Sequence, residues 1–287
     1  MACKKARERM RAAAMAEEGM PARVEAQPEQ ATYRRVDVAA EQPAAQDTEM
    51  PERLMFGVDS HTPSNIILQN NLPEFDWVTR NKLYPNFWGR YLTGEDCLTR
   101  EEIDYLHAKA CRVAAIYTAQ GTKETEEEGK ADAQQAVVRA FELDIPEGTA
   151  IFLEIGENEY AAMEYMHGYA QEVLEAGYTP GFKANTDARF EFDREYSRGV
   201  QNHREEFSRC LVWAESPSLA EYDRVTTTHF IHPDNWMPYA PSGMTRGDIA
   251  VWQYGKECHP IQDDGGKEAT FNVDLVRDIQ VIISRMF

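Results

Sequence analysis

The sequence contains no apolar run that approaches about 18 residues, the length that a membrane-spanning helix requires. Its first residues carry charges, but no apolar segment follows them as it does in a standard secretory signal peptide. We therefore expect no membrane insertion. We also expect a chain that is cytoplasmic at synthesis, so that any export or release uses a non-standard route.

Basic residues are scarce as well. Lys and Arg number 30 against 49 Asp and Glu, which gives a formal net charge of −19 at pH 7. Nucleic-acid partners demand a basic surface for their phosphates, so we expect none. The same charge opposes passive attraction to anionic membranes or cell walls, and a glycan must therefore be held by specific contacts.

Several chemical motifs are missing. The five cysteines include no C-x-x-C pair, and their odd number favours reduced thiols. There is no G-x-S-x-G elbow, no Walker loop and no dinucleotide fingerprint. His229, His232 and Asp234 are close in sequence, but the fixed ligand geometry of a zinc site is not evident around them. We expect no metal and no cofactor.

Residues 1–52 contain few large apolar side chains, and Tyr33 is their only aromatic residue. Such a segment cannot bury enough apolar surface to offset the entropy of ordering it. We predict a disordered tail or linker over 1–52, which could dock to a protein partner. Residues 53–287 then form one domain, close to the usual length of an α/β barrel.

Short apolar runs recur through this second part of the chain and predict eight strands. They cover residues 54–59, 86–92, 112–118, 149–155, 178–184, 209–214, 225–231 and 248–254. Stretches with apolar residues at helical spacing separate most of them, which favours a parallel sheet. We predict an α/β fold, a (β/α)8 TIM-type barrel. It should be irregular near strands seven and eight, because a proline-rich loop replaces the helix there.

Three of these runs end in a carboxylate: Asp59 after the first, Glu154 at the end of the fourth and Glu215 after the sixth. The C-terminal ends of parallel barrel strands lie on one face, where enzymes of this fold keep their chemistry. Paired carboxylates at such a mouth are what the cleavage of a glycosidic bond requires. These three residues are our candidate catalytic groups.

The order of these motifs resembles glycoside-hydrolase-like barrels related to family 25 glycoside hydrolases, the Chalaropsis-type lysozymes. The resemblance covers nearly all of 54–275. The motifs that carry it are Gly57-Val58-Asp59, Trp88-Gly89-Arg90-Tyr91-Leu92, the capped helix from Thr99, the strand with Tyr117, Asp132-Ala133, Ile151-Phe152-Leu153-Glu154, Val212-Trp213-Ala214-Glu215, Val251-Trp252-Gln253-Tyr254 and Asn272-Val273-Asp274.

The resemblance implies a barrel that cleaves, or once cleaved, the glycan of peptidoglycan. It also implies an acidic site built from Asp59, an Asp-x-Glu pair on the fourth strand and a later acid that Glu215 matches. Phe152 stands where that pair has its aspartate, which departs from the pattern. Glu154 is the expected general acid, because an apolar surround that includes Phe152 would raise its pKa.

Six further residues are candidates for substrate binding through hydroxyl contacts, amide contacts or ring stacking. They are Arg90, Tyr91, Tyr117, Trp252, Gln253 and Tyr254. Core packing is the alternative interpretation for the aromatic members, and a salt bridge to Glu154 is the alternative for Arg90.

Two hypotheses of different classes remain open. The first is a barrel that hydrolyses or recognises bacterial cell-wall glycan by carboxylate acid/base chemistry. The second is a catalytically inactive carbohydrate-binding or assembly module, which the loss of the aspartate at Phe152 and the acidic surface favour.

Overall fold

The computed structural model describes residues 54–118, 120–220, 225–226, 233, 235–260 and 269–287. The tail predicted over 1–52 lies outside the described residues, and the division of the chain near residue 53 stays a prediction. Most of the strand predicted over 225–231 and the group His229, His232 and Asp234 lie outside them as well.

An eight-stranded closed barrel forms the centre of the molecule, as the sequence predicts. The strands in chain order are β1 (Met55–Asp59), β2 (Phe87–Tyr91), β3 (Arg112–Thr118), β4 (Thr122–Lys123), β5 (Ala150–Ile155), β6 (Tyr160–Ala161), β7 (Thr179–Ala184), β8 (Leu211–Ala214), β9 (Val225–Thr226), β10 (Val251–Pro260) and β11 (Phe271–Val276). The ring runs β1-β2-β3-β5-β7-β8-β10-β11 and closes from β11 onto β1.

Seven α-helices are present in the described residues, most of them following a barrel strand. They are α1 (Glu74–Arg80), α2 (Arg100–Ala108), α3 (Glu126–Glu142), α4 (Met163–Glu175), α5 (Glu191–Asn202), α6 (Arg204–Phe207) and α7 (Ile279–Arg285). In the part of the chain that the structure describes, every helix is too short or too polar to cross a membrane.

The barrel closes differently from the predicted eight parallel strands. The predicted eighth strand is the seventh of the ring, β10, and the ring is completed by β11, which runs antiparallel to both β10 and β1. Of the predicted seventh strand, the described residues Val225–Thr226 form β9, which pairs with the end of β10 outside the ring. An antiparallel pair needs no crossover helix, so β11 can follow β10 directly in the ring.

Side chains alternate between two cores because strand residues point to opposite faces in turn. One core lies between the barrel and its helices and includes Ile151 and Leu153 of β5. The other fills the inside of the barrel and includes Ala150 and Phe152 of the same strand. Glu154 therefore shares the inward face with Phe152.

Glycines on the inward face make room for the aromatic rings that fill the barrel. A Cβ atom at Gly57 would lie 2.1 Å from the ring of Phe87, and one at Gly181 would lie 2.4 Å from the ring of Phe152. Each ring thus occupies the volume that a side chain on the neighbouring strand would need. This packing closes the interior and leaves only the C-terminal mouth for chemistry.

We expect Gly181→Ala to lower the free energy of unfolding by about 1–3 kcal/mol, because the added methyl group overpacks a filled interior. Chemical denaturation at neutral pH measures this. Gly247→Ala is the matched control, since its Cβ would meet nothing closer than 3.4 Å. Equal stability of the two variants would contradict the packing described here.

Candidate active site

Three acidic residues from separate strands meet at the C-terminal mouth of the barrel. Asp59 ends β1, Glu154 is the penultimate residue of β5, and Glu215 follows β8 directly. Each places a carboxylate oxygen near Nζ of Lys183, at 3.0 Å for Asp59, 2.7 Å for Glu154 and 3.7 Å for Glu215. The structure thus brings the three candidate catalytic residues together around one ammonium group.

Lys183 is a site residue that the sequence reasoning missed. It lies on the inward face of β7, two residues after Gly181, and is only 1% exposed. The sequence does contain a signal for it, namely a lysine within an apolar strand, because a lysine is almost never buried without a charged partner. Burial disfavours its charged form, but Asp59 and Glu154 outweigh this, and the pKa of Lys183 is raised well above its usual value.

The Glu154 carboxylate has two further hydrogen-bond donors beside Lys183. The hydroxyl of Tyr91 donates to Oε1 at 2.9 Å, and the hydroxyl of Thr118 donates to Oε2 at 3.3 Å. The ring of His61 stacks on Tyr91, with centroids 3.8 Å apart. Tyr91, a predicted substrate-binding residue, therefore lies in the mouth and directly contacts a candidate catalytic group.

A second lysine reaches the cluster from β10. Nζ of Lys256 donates to Oε2 of Glu215 at 2.6 Å and lies 3.5 Å from Oε1 of Glu157. Lys256 is partly exposed, whereas Glu215 is only 4% exposed. Glu215 is thus held between two ammonium groups at the edge of the mouth.

Asp59 is the most enclosed of the three acids. It is fully buried, and the side-chain amide of Asn272 on β11 donates to its Oδ1 at 2.9 Å. A Cβ atom at Gly89 on the neighbouring β2 would lie 2.6 Å from the Cβ of Asp59. A larger residue at that position would displace the carboxylate from Lys183.

Asp274 lies one layer deeper, on β11. Its Oδ1 accepts a hydrogen bond from the indole of Trp213 at 2.9 Å, and its strand neighbour Gln253 is likewise fully buried. Burial raises the pKa of Asp274 well above its usual value, and the charge of Asp59 raises it further. Asp274 is part of β11 and faces the barrel interior.

The charge state of Glu154 differs from that expected of a general acid. Burial alone would raise its pKa, but the charge and hydrogen bond of Lys183 and the hydrogen bond of Tyr91 lower it below the usual value. Glu154 is therefore ionised at neutral pH. The apolar surround inferred from Phe152 is real, but the lysine that the sequence reasoning missed outweighs it.

Glu215 has the opposite shift. Burial raises its pKa above the usual value, and the charges of Lys183 and Lys256 offset only part of this. Two neighbouring carboxyls whose environments push their pKa values apart are the usual basis for assigning one as proton donor and the other as ionised partner. Of the two carboxyl groups in the mouth, Glu154 therefore has the lower pKa and Glu215 the higher.

A cleft of about 130 Å³ opens beside the cluster, at the ends of β5 and β7. Its lining includes Glu157, Glu159, Asn185 and Arg189. The side-chain amide of Asn185 donates to Glu157 at 3.1 Å, and Glu157 also contacts Lys256. The cleft thus combines charged and amide groups with apolar side chains such as Ile155 and Phe192, and the contact of Glu157 with Lys256 connects it to the edge of the carboxylate cluster.

Arg90, a predicted substrate-binding residue, is not brought to the mouth. It points from β2 toward the helical layer, is fully buried, and donates through Nε to Glu102 at 2.7 Å. Its remaining nitrogens donate to the carbonyl oxygens of Ser60, His61 and Asp96. Arg90 therefore supports the loop after β1, and Lys183 rather than Arg90 pairs with Glu154.

Tyr117 also points away from the barrel interior. Its hydroxyl lies 3.3 Å from Oδ1 of Asp132 and 3.1 Å from Oε1 of Gln135, both on α3. The same aspartate accepts a hydrogen bond from Tyr165 at 2.7 Å. These contacts join β3 to the helical layer, and the structure does not place Tyr117 in the mouth.

The three consecutive candidates on β10 divide between the two faces. Trp252 and Tyr254 belong to the outer core, and the indole of Trp252 packs against Trp236, with ring centroids 6.1 Å apart. Gln253 faces the interior, beside Asp274. Only Tyr91 and Gln253 of the six predicted substrate-binding residues therefore face the carboxylate side of the barrel.

The described residues contain one group of side chains whose donor atoms are close enough for a metal ion. It consists of His167, His203 and Glu206, on the helical layer rather than in the mouth.

Solved structures with related folds include an uncharacterised protein of B. stearothermophilus. It is 22% identical, has a TM-score of 0.65, and covers 81% of this chain and 100% of its own. A bacterial lysozyme from Streptomyces coelicolor is 11% identical with a TM-score of 0.45, over 81% of this chain and 94% of its own. A family 25 glycosyl hydrolase from Bacillus anthracis is 14% identical with a TM-score of 0.42, over 78% of this chain and 89% of its own. The first likeness supports the barrel fold alone.

No curated protein matches the sequence. The family described as "Rv2525c-like, glycoside hydrolase-like domain" matches residues 84–274, about two thirds of the chain. The match includes Glu154, Lys183 and Glu215 and begins after the strand that carries Asp59. This chain therefore belongs to the Rv2525c-like family of glycoside hydrolase-like domains.

Proposed function

We propose that this chain hydrolyses glycosidic bonds of bacterial cell-wall glycan at the mouth of the barrel, with Glu215 as proton donor and Glu154 as the ionised partner. The observation that carries the proposal is the position of both carboxylates on one ammonium, at 3.7 and 2.7 Å from Nζ of Lys183. Those two oxygens therefore lie at most 6.4 Å apart, the sum of the two distances. This limit is compatible with the carboxyl separation of retaining glycosidases, about 5–5.5 Å.

The proton donor differs from the expected one because of the two lysines. Glu154 is ionised beside Lys183, so it can attack the anomeric carbon or activate a water, but it has no proton to give to a leaving oxygen. Glu215 retains its proton more readily because burial raises its pKa. The departing sugar oxygen would take that proton as the glycosidic bond breaks.

Asp59 is assigned a supporting role. It is fully buried and bonded to Lys183 and Asn272, so it cannot touch a sugar in this arrangement. Its negative charge instead fixes the ammonium that in turn orients Glu154. We class Asp59 and Lys183 as positioning residues.

The substrate class follows from the cleft and from the family. Glu157, Asn185 and Arg189 line the cleft beside the carboxylates and can bind hydroxyl or amide groups of a polar glycan. Membership of a glycoside hydrolase-like family supports a sugar polymer as the ligand. Peptidoglycan is our first choice because the family 25 barrels that the sequence resembles act on it.

Digestion of purified peptidoglycan, followed by chromatography of the released fragments, tests the proposal. We expect product from the wild type and a loss of about 100- to 10,000-fold in Glu154→Gln and in Glu215→Gln, the usual contribution of acid/base catalysis. Glu175→Gln, at the exposed end of α4, is the matched control and should keep wild-type activity. Equal product from wild type and both site variants would remove this pair from the mechanism.

Glycan binding without cleavage is the second candidate. The ammonium of Lys183 already neutralises the carboxylates, and Phe152 replaces an acid that the family 25 pattern contains. This alternative predicts that wild type sediments with insoluble peptidoglycan but releases no fragments from it. Substitution of Asn185 or Arg189 in the cleft should then weaken the sedimentation.

A further inference from the structure

Two histidines and a glutamate from three helical segments converge on the outer layer of the molecule. His167 is on α4, His203 joins α5 to α6, and Glu206 is on α6. One donor atom from each lies within 4.8 Å of the others, and all three side chains are half-buried. Among the described residues, Glu206 makes no ion pair that would occupy its carboxylate.

The close approach of α3 and α4 places a second carboxylate behind His167. A Cβ atom at Gly168 would lie 2.2 Å from the carbonyl oxygen of Glu126, so the two helices touch through their backbones at this point. Oε2 of Glu126 consequently lies 3.6 Å from Nδ1 of His167. Metal-binding histidines usually present one ring nitrogen to such a carboxylate and the other nitrogen to the metal.

The two imidazoles lie face to face, with centroids 3.7 Å apart and planes inclined by 25°. The contact means that both rings share one small volume beside Glu206.

We propose that His167, His203 and Glu206 form a binding site for a divalent transition-metal ion, with Glu126 as the carboxylate that orients His167. Two imidazoles and one carboxylate are a donor set that suits Zn²⁺, Ni²⁺ or Cu²⁺ and disfavours Mg²⁺ and Ca²⁺. In a stacked pair the nitrogen lone pairs of the two rings run parallel and do not point at one ion. One ring therefore turns about χ2, a torsion that is broadly populated in histidine, to bring both nitrogens to the same ion.

A bound ion would connect α4 to the junction between α5 and α6. These segments are already joined by the backbone N–H of Met163, which donates to Glu195 at 3.2 Å, and by the ion pair of Arg198 with Glu164 at 3.4 Å. The site is independent of the carboxylates in the barrel mouth, and its occupancy is expected to change stability without being required for glycan chemistry.

Zinc titration of the full chain tests the site. We expect isothermal titration to give one Zn²⁺ site and the melting temperature to rise by about 5–10 °C at a free Zn²⁺ concentration 100-fold above the dissociation constant. His203→Gln and Glu206→Gln should each weaken the site at least about tenfold and reduce the temperature shift, since a tetrahedral zinc centre depends on each of its few protein ligands. Mg²⁺ at the same concentration should leave the melting temperature unchanged.

His107→Gln is the matched control, because His107 is an exposed histidine of α2 outside the cluster. It should bind zinc as the wild type does. Circular dichroism verifies that each variant is folded, and the use of two ligand variants guards against a single misfolded one. No zinc binding by the wild type, or binding that both His203→Gln and Glu206→Gln retain in full, would overturn the proposal.

Discussion

Lys183→Met is expected to lower the free energy of unfolding at pH 7 by about 3–5 kcal/mol, the usual result of removing one partner of a buried charge pair. Lys183 contacts Asp59 at 3.0 Å and Glu154 at 2.7 Å, and it is only 1% exposed. Methionine keeps most of the volume but leaves two buried carboxylates without their countercharge. Urea denaturation measures the loss.

The loss should depend on pH, with a sign that the charges determine. In the wild type the pKa of Glu154 is lowered, so its contribution to stability is present above the unfolded carboxyl pKa and is lost as the pH falls through the folded value. Without Lys183, burial raises the pKa of Glu154, and the folded state then binds more protons than the unfolded state. Stability of the variant should therefore fall as the pH rises from about 4.3, and the difference from the wild type should shrink as the pH falls through and below that value.

A lysine-to-methionine substitution at an exposed ion pair is the control for the stability loss of Lys183→Met. Lys130 pairs with Glu126 at 2.5 Å on the surface of α3, and its side chain is 36% exposed. Lys130→Met should cost no more than about 1 kcal/mol. A Lys183→Met protein as stable as Lys130→Met, or one whose loss does not shrink at low pH, would contradict the charge arrangement of the mouth.

The barrel was predictable because apolar runs and helical stripes alternate along the chain, and that pattern depends only on local sequence. Asp59, Glu154 and Glu215 could be placed at one mouth because parallel strands share a direction. The closing strand was not predictable from such runs. Phe271–Val276 alternates apolar and polar residues, and only its antiparallel pairing with β1 and β10 shows that it completes the ring.

The division of the predicted binding residues between the two faces of the barrel wall has one physical source. Neighbouring residues of a strand point to opposite faces, so Arg90 and Tyr91 cannot both line the mouth. The same rule separates Gln253 from Trp252 and Tyr254. Applying the alternation to the sequence would have kept Tyr91 and Gln253, which the structure places on the inward side.

The charge state of the site could not be predicted in the same way. Whether Glu154 holds a proton depends on a lysine 29 positions away in the chain, which reaches it across the barrel mouth. Burial raises the pKa of Glu154 and the lysine lowers it. The sequence suggests only the effect of burial. The assignment of proton donor and ionised partner therefore needs three-dimensional distances.

Phe152→Asp restores the acid that the family 25 pattern has at this position, yet we expect it to destabilise the protein by about 3–5 kcal/mol or more. The Phe152 ring is fully buried, meets the Trp213 ring edge-on at 5.2 Å, and fills the space left by Gly181. Aspartate would leave a cavity there and would add a carboxylate to an apolar layer below Glu154. Activity on peptidoglycan should not rise, because the new carboxylate would lie below the mouth, against the Trp213 ring rather than beside the substrate.

Denaturant unfolding and peptidoglycan digestion, performed on the same preparations, test this expectation. Phe152→Leu is the control, because it removes the ring but stays apolar and should lose less stability than Phe152→Asp. The difference between the two variants isolates the cost of burying the carboxylate from the cost of losing the ring. An aspartate variant that is as stable as the leucine variant and digests more glycan than the wild type would show that the barrel interior accepts a fourth acid. In that case the phenylalanine at position 152, rather than the ion pairs that Lys183 makes with the carboxylates, would limit hydrolysis.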